Sequence, residues 1–324
     1  MIPFQGSSRG DHVVVEVLHG KQSLIGMEDL TTRQITPIRH MPNESVQVDG
    51  TWDGTTAVWL QYTDAQYTQF TAWSWTPGHA PRRLGGSIPK VAEAGYTAPI
   101  NWPTIAGAHA AWIRASGAGG LAELIQADLM TGKTRVIARG HLSDPVYYDG
   151  LLIWGQGFHP GALYGARAVD PDTGARRQPP PALASEKGGY AFVASGKSIA
   201  FLSTGPNGEA GHTVYFSPSP QQPAHVVFAG SNPGEGLSWP IQVNGSLIAG
   251  VGHNQHNSFG GWVISGASAS SYFIPNTGVL TANASNIILA PIRFAPGLEK
   301  GVQHPLGNNA VLRISDVPAP SPCP

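Results

Sequence analysis

One stretch of sequence shows how the chain is built: residues 103–139 read PTIAGAHAAWIRASGAGGLAELIQADLMTGKTRVIAR. Four short β-rich runs alternate in it with turn signals. Gly107 marks a turn before the apolar run Ala110-Ala111-Trp112, and Met130-Thr131-Gly132 marks a hairpin between the last two runs. The stretch therefore predicts four short antiparallel strands, A to D, with a turn glycine between strands A and B.

The same pattern recurs along the whole chain. A turn residue is followed within a few positions by an apolar pair, often closed by an aromatic residue. These anchors are spaced 40 to 53 residues apart and stand at Gly10, Gly54, Gly107, Gly150, Gly196, Gly245 and Ser285. Four strands in a repeat of this length match one blade of a β-propeller. A pair of β-sandwiches is the alternative, but sandwiches do not need a repeat of regular length.

We therefore predict an all-β fold with almost no helix: a single β-propeller of seven four-stranded blades. Residues 1–317 would form the propeller domain, and residues 318–324 a Pro-rich C-terminal tail. The B strands should form the core, with side chains alternating between the two faces of each blade. The predicted core residues are Ala57, Trp59, Ala110, Trp112, Ile153, Trp154, Ile199, Phe201 and Ile248.

The repeat resembles that of the TolB-like β-propeller family. The resemblance rests on the turn glycine before the apolar-apolar-aromatic strand and on the hairpin Asp128-Leu129-Met130-Thr131-Gly132-Lys133. It extends over nearly the whole chain, although the fifth and sixth copies depart from it at the hairpin. Because these motifs are structural, the resemblance implies the fold and little about activity.

Composition excludes several classes of protein. The 324 residues include 41 Gly and 28 Pro, only 12% are charged, and the net charge is −1. So much Gly and Pro disfavours helical bundles, and no strict glycine period indicates collagen. The charge balance offers no electrostatic footprint for nucleic acid or an anionic membrane. The lone cysteine, Cys323, permits neither an intrachain disulfide nor a cysteine metal site.

The sequence carries few signals of location. No apolar stretch is long enough to span a membrane, and the first residues lack the basic and apolar regions of a signal peptide. The scarcity of Lys and the Pro-rich tail favour a secreted or cell-envelope protein, with the cytoplasm as the alternative. We expect a monomer.

The predicted topology places the variable loops on one face of the propeller. The B–C loops and the D-to-A connections would surround the mouth of the central channel, and the short A–B turns would lie opposite. The B–C loops are long and irregular, and they cover residues 61–69, 114–123, 155–164, 203–212, 252–261 and 293–309. Irregular loops on a rigid scaffold commonly carry binding sites, so this face is the candidate site.

Five histidines fall in these loops, in four consecutive copies: His159, His212, His253, His256 and His304. Neutral imidazoles from neighbouring blades could hold a divalent metal, with His253 and His256 as candidate ligands, or one could act as a general base. The alternative is that they are exposed loop histidines with local hydrogen bonds.

Other candidates stand just before A strands. Trp102 and Trp239 each precede a proline there, as Asp144 does, and would lie near the channel mouth. Indole faces beside carboxylates suit sugar stacking or a protein interface, although each Trp could instead pack between blades. An acid/base pair could come from the carboxylates Asp64, Glu123, Asp144, Glu186, Glu209 and Glu235.

Two functions remain open from the sequence. The first is a non-catalytic binding or scaffold propeller that presents its B–C loop face to a protein or glycan. The second is a carbohydrate-active enzyme, a polysaccharide lyase or glycoside hydrolase, that uses the loop-face histidines and carboxylates with or without a divalent metal. No nucleophile elbow, phosphate-binding loop or His-Glu-x-x-His motif is present.

Overall fold

Short β-strands make up nearly all the regular structure in the described part of the chain. The computed structural model describes residues 2–3, 12–19, 22–41, 47–64, 66–97, 102–157, 165–183, 189–203, 213–231, 235–256, 258–275, 277–282, 286–293, 304–305 and 310–313. By packing, the chain divides into two units, residues 3–179 and residues 180–324 together with residues 1–2. The predicted tail, residues 318–324, lies outside the described residues.

Four four-stranded sheets, numbered 1 to 4, precede residue 180 in the described part of the chain. Sheet 1 consists of β1 (Ile2–Pro3), β2 (His12–His19), β3 (Gln22–Asp29) and β4 (Ile35–Met41). Sheet 2 consists of β5 (Gln47–Trp52), β6 (Ala57–Tyr62), β7 (Phe70–Trp75) and β8 (Arg82–Gly86). Sheet 3 consists of β9 (Thr104–Ala106), β10 (His109–Ala115), β11 (Ala122–Asp128) and β12 (Thr134–Gly140). Sheet 4 consists of β13 (Val146–Tyr148), β14 (Leu151–Gln156), β15 (Gly165–Val169) and β16 (Arg176–Arg177).

Three further sheets, numbered 5 to 7, follow in the described residues beyond residue 180. Sheet 5 consists of β17 (Gly189–Ser195), β18 (Ser198–Ser203), β19 (Thr213–Ser217) and β20 (His225–Ala229). Sheet 6 consists of β21 (Gly236–Asn244), β22 (Leu247–His253), β23 (Phe259–Ser265) and β24 (Ser271–Pro275). Sheet 7 consists of β25 (Thr277–Ala282), β26 (Asn286–Arg293), β27 (His304–Pro305) and β28 (Ala310–Arg313).

The all-β prediction is confirmed, and so is the four-stranded blade. In sheets 1 to 6 each strand is hydrogen-bonded to the next along the chain, which is the meander of a propeller blade. In the described ranges, helix is limited to α1 (Pro89–Glu93) and a 3₁₀ turn at Pro181–Leu183. No helix of the described residues is long and apolar enough to cross a membrane.

The prediction of seven regular blades is wrong for the last sheet. There β27 pairs with the end of β26 at Ile292 and Arg293, whereas β28 pairs with its beginning at Asn286 to Leu289. Two short strands therefore share one edge of β26, and no described strand occupies the fourth position. The described part of the chain thus contains six regular blades and a seventh sheet of irregular order.

The second strand of each regular blade forms the core, as predicted. Alternation along the strand supplies both faces: Trp59 packs with Val14 and Ile25 of sheet 1, whereas Leu60 packs with Trp112 of sheet 3. Each sheet of the first unit is thereby joined to its neighbours through apolar side chains. All nine predicted core residues lie in second strands and are at most 5% exposed.

The turns explain why the repeat is visible in the sequence. The described anchor glycines have φ between 56° and 91°, a region that costs other residues free energy, and they are Gly54, Gly107, Gly150, Gly196 and Gly245. At the hairpin between the third and fourth strands, Asp128 Oδ1 accepts the backbone N–H groups of Met130 and Thr131. These bonds to the carboxylate lower the pKa of Asp128.

Candidate functional site

In sheets 2 and 3, the loop between the second and third strands and the connection after the fourth strand lie at the same end of the sheet. In sheet 2, β6 ends at Tyr62 and β7 begins at Phe70, so residues 63–69 form the second-to-third strand loop. Thr71 pairs with Gly86, which brings the end of β8 beside this loop. Antiparallel pairing therefore places residues 63–69 and the connection after β8 at the same end of the sheet. We call this end of sheets 2 and 3 the loop face.

A cleft of about 490 Å³ opens on the loop face. Its lining comes from the loop after β6, the first strand positions of β7, the end of β8, the connection that leads into α1, and β10. The residues that line it are Thr63, Gln69, Phe70, Thr71, Arg83, Leu84, Gly85, Gly86, Ser87, Pro89 and Arg114. All of them belong to the first unit. This volume falls in the usual range for small-molecule sites.

Arg114 is held in place at the cleft by charged and backbone partners. Its Nε and Nη2 donate to Oε2 of Glu123 at 3.0 and 2.7 Å, and its Nη1 donates to the carbonyl of Gly86 at 3.3 Å. Arg139 donates to the other oxygen, Oε1 of Glu123, at 2.8 Å. Burial alone would raise the pKa of Glu123, but these two guanidinium groups bring it below its ordinary value.

Arg83 is the second guanidinium of the cleft, and it lies on the exposed side of β8. In the described part of the chain no carboxylate pairs with it. Arg114 and Arg139 already outnumber the single carboxylate between them, Glu123. The cleft therefore carries an excess of positive charge on a protein whose net charge is −1.

The second feature of the same unit is a cluster of three buried carboxylates. Glu16 in β2 is 1% exposed, Asp49 in β5 is 5% exposed, and Asp144 before β13 is 8% exposed. The strands that carry them are neighbours in space, since β5 lies beside both β2 and β9, and β9 lies beside β13. We call Glu16, Asp49 and Asp144 the carboxylate cluster.

In the carboxylate cluster, the pKa values of Glu16 and Asp144 are raised. Burial raises the pKa of Glu16 to about 7, and the nearby Asp49 adds to the rise, although a backbone hydrogen bond from Val48 opposes it. Burial also raises the pKa of Asp144 well above its usual range. The hydroxyl of Tyr62 hydrogen-bonds to Asp49, and burial raises its pKa as well. Among the described residues, Oε1 of Glu16 and Oδ1 of Asp144 have no hydrogen-bond partner.

Two of the predicted site residues are brought together. The backbone N–H of Trp102 donates to the carboxylate of Asp144, which opposes the effect of burial on its pKa. Trp102 precedes β9, as predicted, and is partly exposed. Trp239 was predicted to precede its strand, but it lies within β21.

His253 and His256, the two described histidines of the second-to-third strand loop of sheet 6, form local contacts. His253 is the last residue of β22, and its ring meets that of Phe259 edge-on at 5.3 Å. The His256 backbone N–H donates to Oδ1 of Asn254 at 3.0 Å. Among the described residues no three His, Cys, Asp or Glu side chains gather as a metal-ligand set. His304 lies in β27 rather than in a loop, and His159 and His212 lie outside the described residues.

Sequence reasoning missed most of the residues that the structure brings forward. No sequence motif surrounds Arg83. Its place in the cleft lining becomes visible only once β8 is paired with β7. Glu16 did carry a signal. It interrupts the apolar run Val13-Val14-Val15 and Val17, and a strand apolar on both faces is a buried one. A carboxylate in such a strand must be buried with it.

Comparison with known proteins supports the fold alone. No protein-family model matches the sequence, and no curated protein matches it. TolB from Acinetobacter baumannii is similar in structure, with a TM-score of 0.53 at 12% identity over 83% of this chain and 65% of that one. The chain therefore spans slightly less than two thirds of that TolB.

Two other solved structures are similar over more of their length. The β-propeller domain of the Trilobed protease from Pyrococcus furiosus has a TM-score of 0.58 at 8% identity, covering 89% of each chain. Oligogalacturonate lyase from Vibrio parahaemolyticus has a TM-score of 0.57 at 11% identity, covering 89% of this chain and 87% of that one. The resemblance to TolB-like and other propellers is thus shown for the fold, while these neighbours differ in activity.

Proposed function

We propose that this chain is a non-catalytic binding propeller that presents its loop face to a glycan or protein partner. The observation that carries the proposal is the lining of the cleft. Among the described residues that line it, the only ionisable side chains are Arg83 and Arg114. Arginine stays protonated at ordinary pH and cannot act as a general acid or base there. The cleft has the groups to hold a ligand and lacks those that transfer protons.

The lining favours a glycan over a flat protein surface. Hydroxyl and amide groups come from Thr63, Gln69, Thr71 and Ser87, while Phe70 and Leu84 add apolar surface. Sugars present hydroxyls on their rim and C–H groups on their faces, and both kinds of surface have counterparts in this lining. A concave, mainly polar site of this volume suits one or two sugar rings.

A bulky residue at Gln69 should abolish glycan binding. Gln69 is exposed, and its backbone carbonyl accepts a hydrogen bond from Thr63 that any side chain preserves. We expect parent protein to retain one or more glycans in an immobilised-glycan screen, and Gln69→Trp to lose at least about 10-fold in affinity for them.

Gln34→Trp is the matched control for this experiment. Gln34 is also exposed, and its carbonyl likewise accepts a backbone N–H, from Asp29, but it lies at the hairpin end of sheet 1. This variant should bind like the parent. If no glycan is retained, or if Gln69→Trp binds as well as the parent does, the cleft is not the binding site.

A carbohydrate-active enzyme is the second candidate, and the carboxylate cluster favours it. Glu16 has a pKa of about 7, which suits proton transfer at neutral pH, and Asp144 is buried with a raised pKa. The candidate metal ligands His253 and His256 belong to the other unit, so the metal is tested as a separate part of this candidate. Its test is a screen of polysaccharides for cleavage, with and without zinc, manganese or calcium, on parent, Asp144→Asn and a His253→Ala, His256→Ala double variant.

This second candidate predicts cleavage by the parent that is lost on Asp144→Asn although the folded protein persists by circular dichroism. If metal is involved, the metal should raise the melting temperature of the parent by a few degrees and leave that of the double variant unchanged. Absence of cleavage under all these conditions removes the candidate.

Under either function, we propose a monomer that acts outside the cytoplasm, at the cell envelope or as a secreted protein.

A further inference from the structure

We propose that the cleft on the loop face is a site for a sugar acid, in which the guanidinium of Arg83 binds the carboxylate of the ligand. This inference rests on the proposed binding function and names the ligand class. The shared chemistry is a polyhydroxylated ring with one carboxylate, either as a free sugar acid or as a uronate unit of a polysaccharide.

The two guanidinium groups of the cleft differ in their availability. Arg114 is engaged by Glu123 and by the carbonyl of Gly86. Arg83 faces the same cleft from β8 and is exposed, with no carboxylate beside it in the described residues. Guanidinium binds carboxylate through two parallel N–H···O bonds, so Arg83 is the group that an anionic ligand would meet.

The cleft offers more neutral hydrogen-bonding groups than a ligand with only a carboxylate would use. Thr71 contributes a hydroxyl, and Gln69 contributes an amide. The hydroxyl oxygen of Ser87 accepts the backbone N–H of Phe70 at 3.3 Å, which leaves its O–H free to donate. These groups can bind ring hydroxyls while Arg83 binds the acid, which is why a sugar acid fits better than a simple carboxylate.

The surroundings of β8 favour a compact ligand over an acidic peptide. A peptide would bind most simply by adding a strand to the outer edge of β8. Arg82, at the start of that strand, donates to the carbonyls of Leu129 at 3.3 Å, Met130 at 2.9 Å and Thr131. The hairpin of sheet 3 therefore covers the beginning of β8. Pro89, which begins α1 shortly after β8 ends, also lines the cleft, and a cleft of this size suits a compact ring.

The test compares an acid with its ester by isothermal titration calorimetry. The probes are trigalacturonate, its fully methyl-esterified form and free galacturonate, each titrated into parent, Arg83→Gln and Arg176→Gln. Arg176 is the matched control, because it is an exposed arginine on the outer strand β16. We expect the trimer to bind the parent at least about 10-fold more tightly than its ester, and Arg83→Gln to lose that difference. Arg176→Gln should bind like the parent.

Each outcome has a definite meaning. Binding of the trimer with the free acid inactive assigns a polysaccharide uronate, and equal binding of the free acid assigns a soluble sugar acid; both support the inference. Equal affinities for the trimer and its ester, an acid preference that survives in Arg83→Gln, or no binding of either acid would overturn it. The proposed binding function survives these results if the glycan screen still shows binding that Gln69→Trp abolishes, and it fails if that binding is also absent.

Discussion

Replacing Trp112 by alanine should lower the free energy of unfolding by about 3–5 kcal/mol, the usual cost of removing a fully buried large aromatic side chain. Trp112 is 1% exposed in β10 and packs in the core shared by sheets 2 and 3. The loss should appear as a shift of the urea midpoint with little change in slope.

Met130→Ala is the control for the Trp112 variant, because Met130 belongs to the same sheet's hairpin and is 79% exposed. Its effect should stay within about 0.5 kcal/mol. A loss below about 1 kcal/mol for Trp112→Ala would mean that the register of β10 is wrong. Trp112 also supports the cleft, because its indole packs behind Gly85, which lines it. A Cβ added at Gly85 would lie 3.6 Å from the indole.

The second large effect concerns the pH dependence of stability. The folded state keeps the Glu16 carboxyl protonated up to about pH 7, whereas the unfolded state releases the proton near its ordinary value of 4.5. Between these values the folded state binds more protons, so this group makes stability fall as pH rises, by about 3 kcal/mol in all. Glu16→Gln cannot ionise and escapes this loss.

We therefore expect Glu16→Gln to match the parent near pH 4.5 and to exceed it by up to about 3 kcal/mol at pH 8. Denaturant titrations at several pH values measure the difference. Glu93→Gln removes a carboxylate from the exposed side of α1 and should follow the parent's profile. A Glu16→Gln variant less stable than the parent at pH 8 would contradict the burial of a neutral Glu16.

Local chemistry made the blades predictable. A glycine such as Gly107 at the A–B turn and an aspartate such as Asp128 at the hairpin stand in the sequence at the positions where the backbone needs them. The second strands could be read for the same reason, since Trp59 and Trp112 follow their turn glycines at a constant offset. The irregular order of the last sheet could not be predicted from the sequence. Two strands share one edge of β26 there, and this arrangement depends on strand pairing and not on a local motif.

The candidate site was predictable only in part. The loop face was predicted from topology, and Trp102 and Asp144 were both predicted to stand before first strands, but the hydrogen bond between them was not predicted. Arg83 belongs to no motif, and its place in the cleft lining depends on how β8 pairs with β7. The histidines illustrate the converse case. Placement in loops suggested convergence, yet the described His253 and His256 make contacts within their own turn.

Amide hydrogen exchange is the most direct test of the claim that ligand binds in the loop-face cleft. Parent protein should be measured by mass spectrometry with and without the glycan that binds most tightly in the screen. Peptides that cover residues 63–71 and 83–89 should exchange more slowly in its presence, while the hairpin at Asp29–Gln34 should be unchanged. Protection confined to the hairpin end of the sheets, or to peptides outside the cleft lining, would contradict the account.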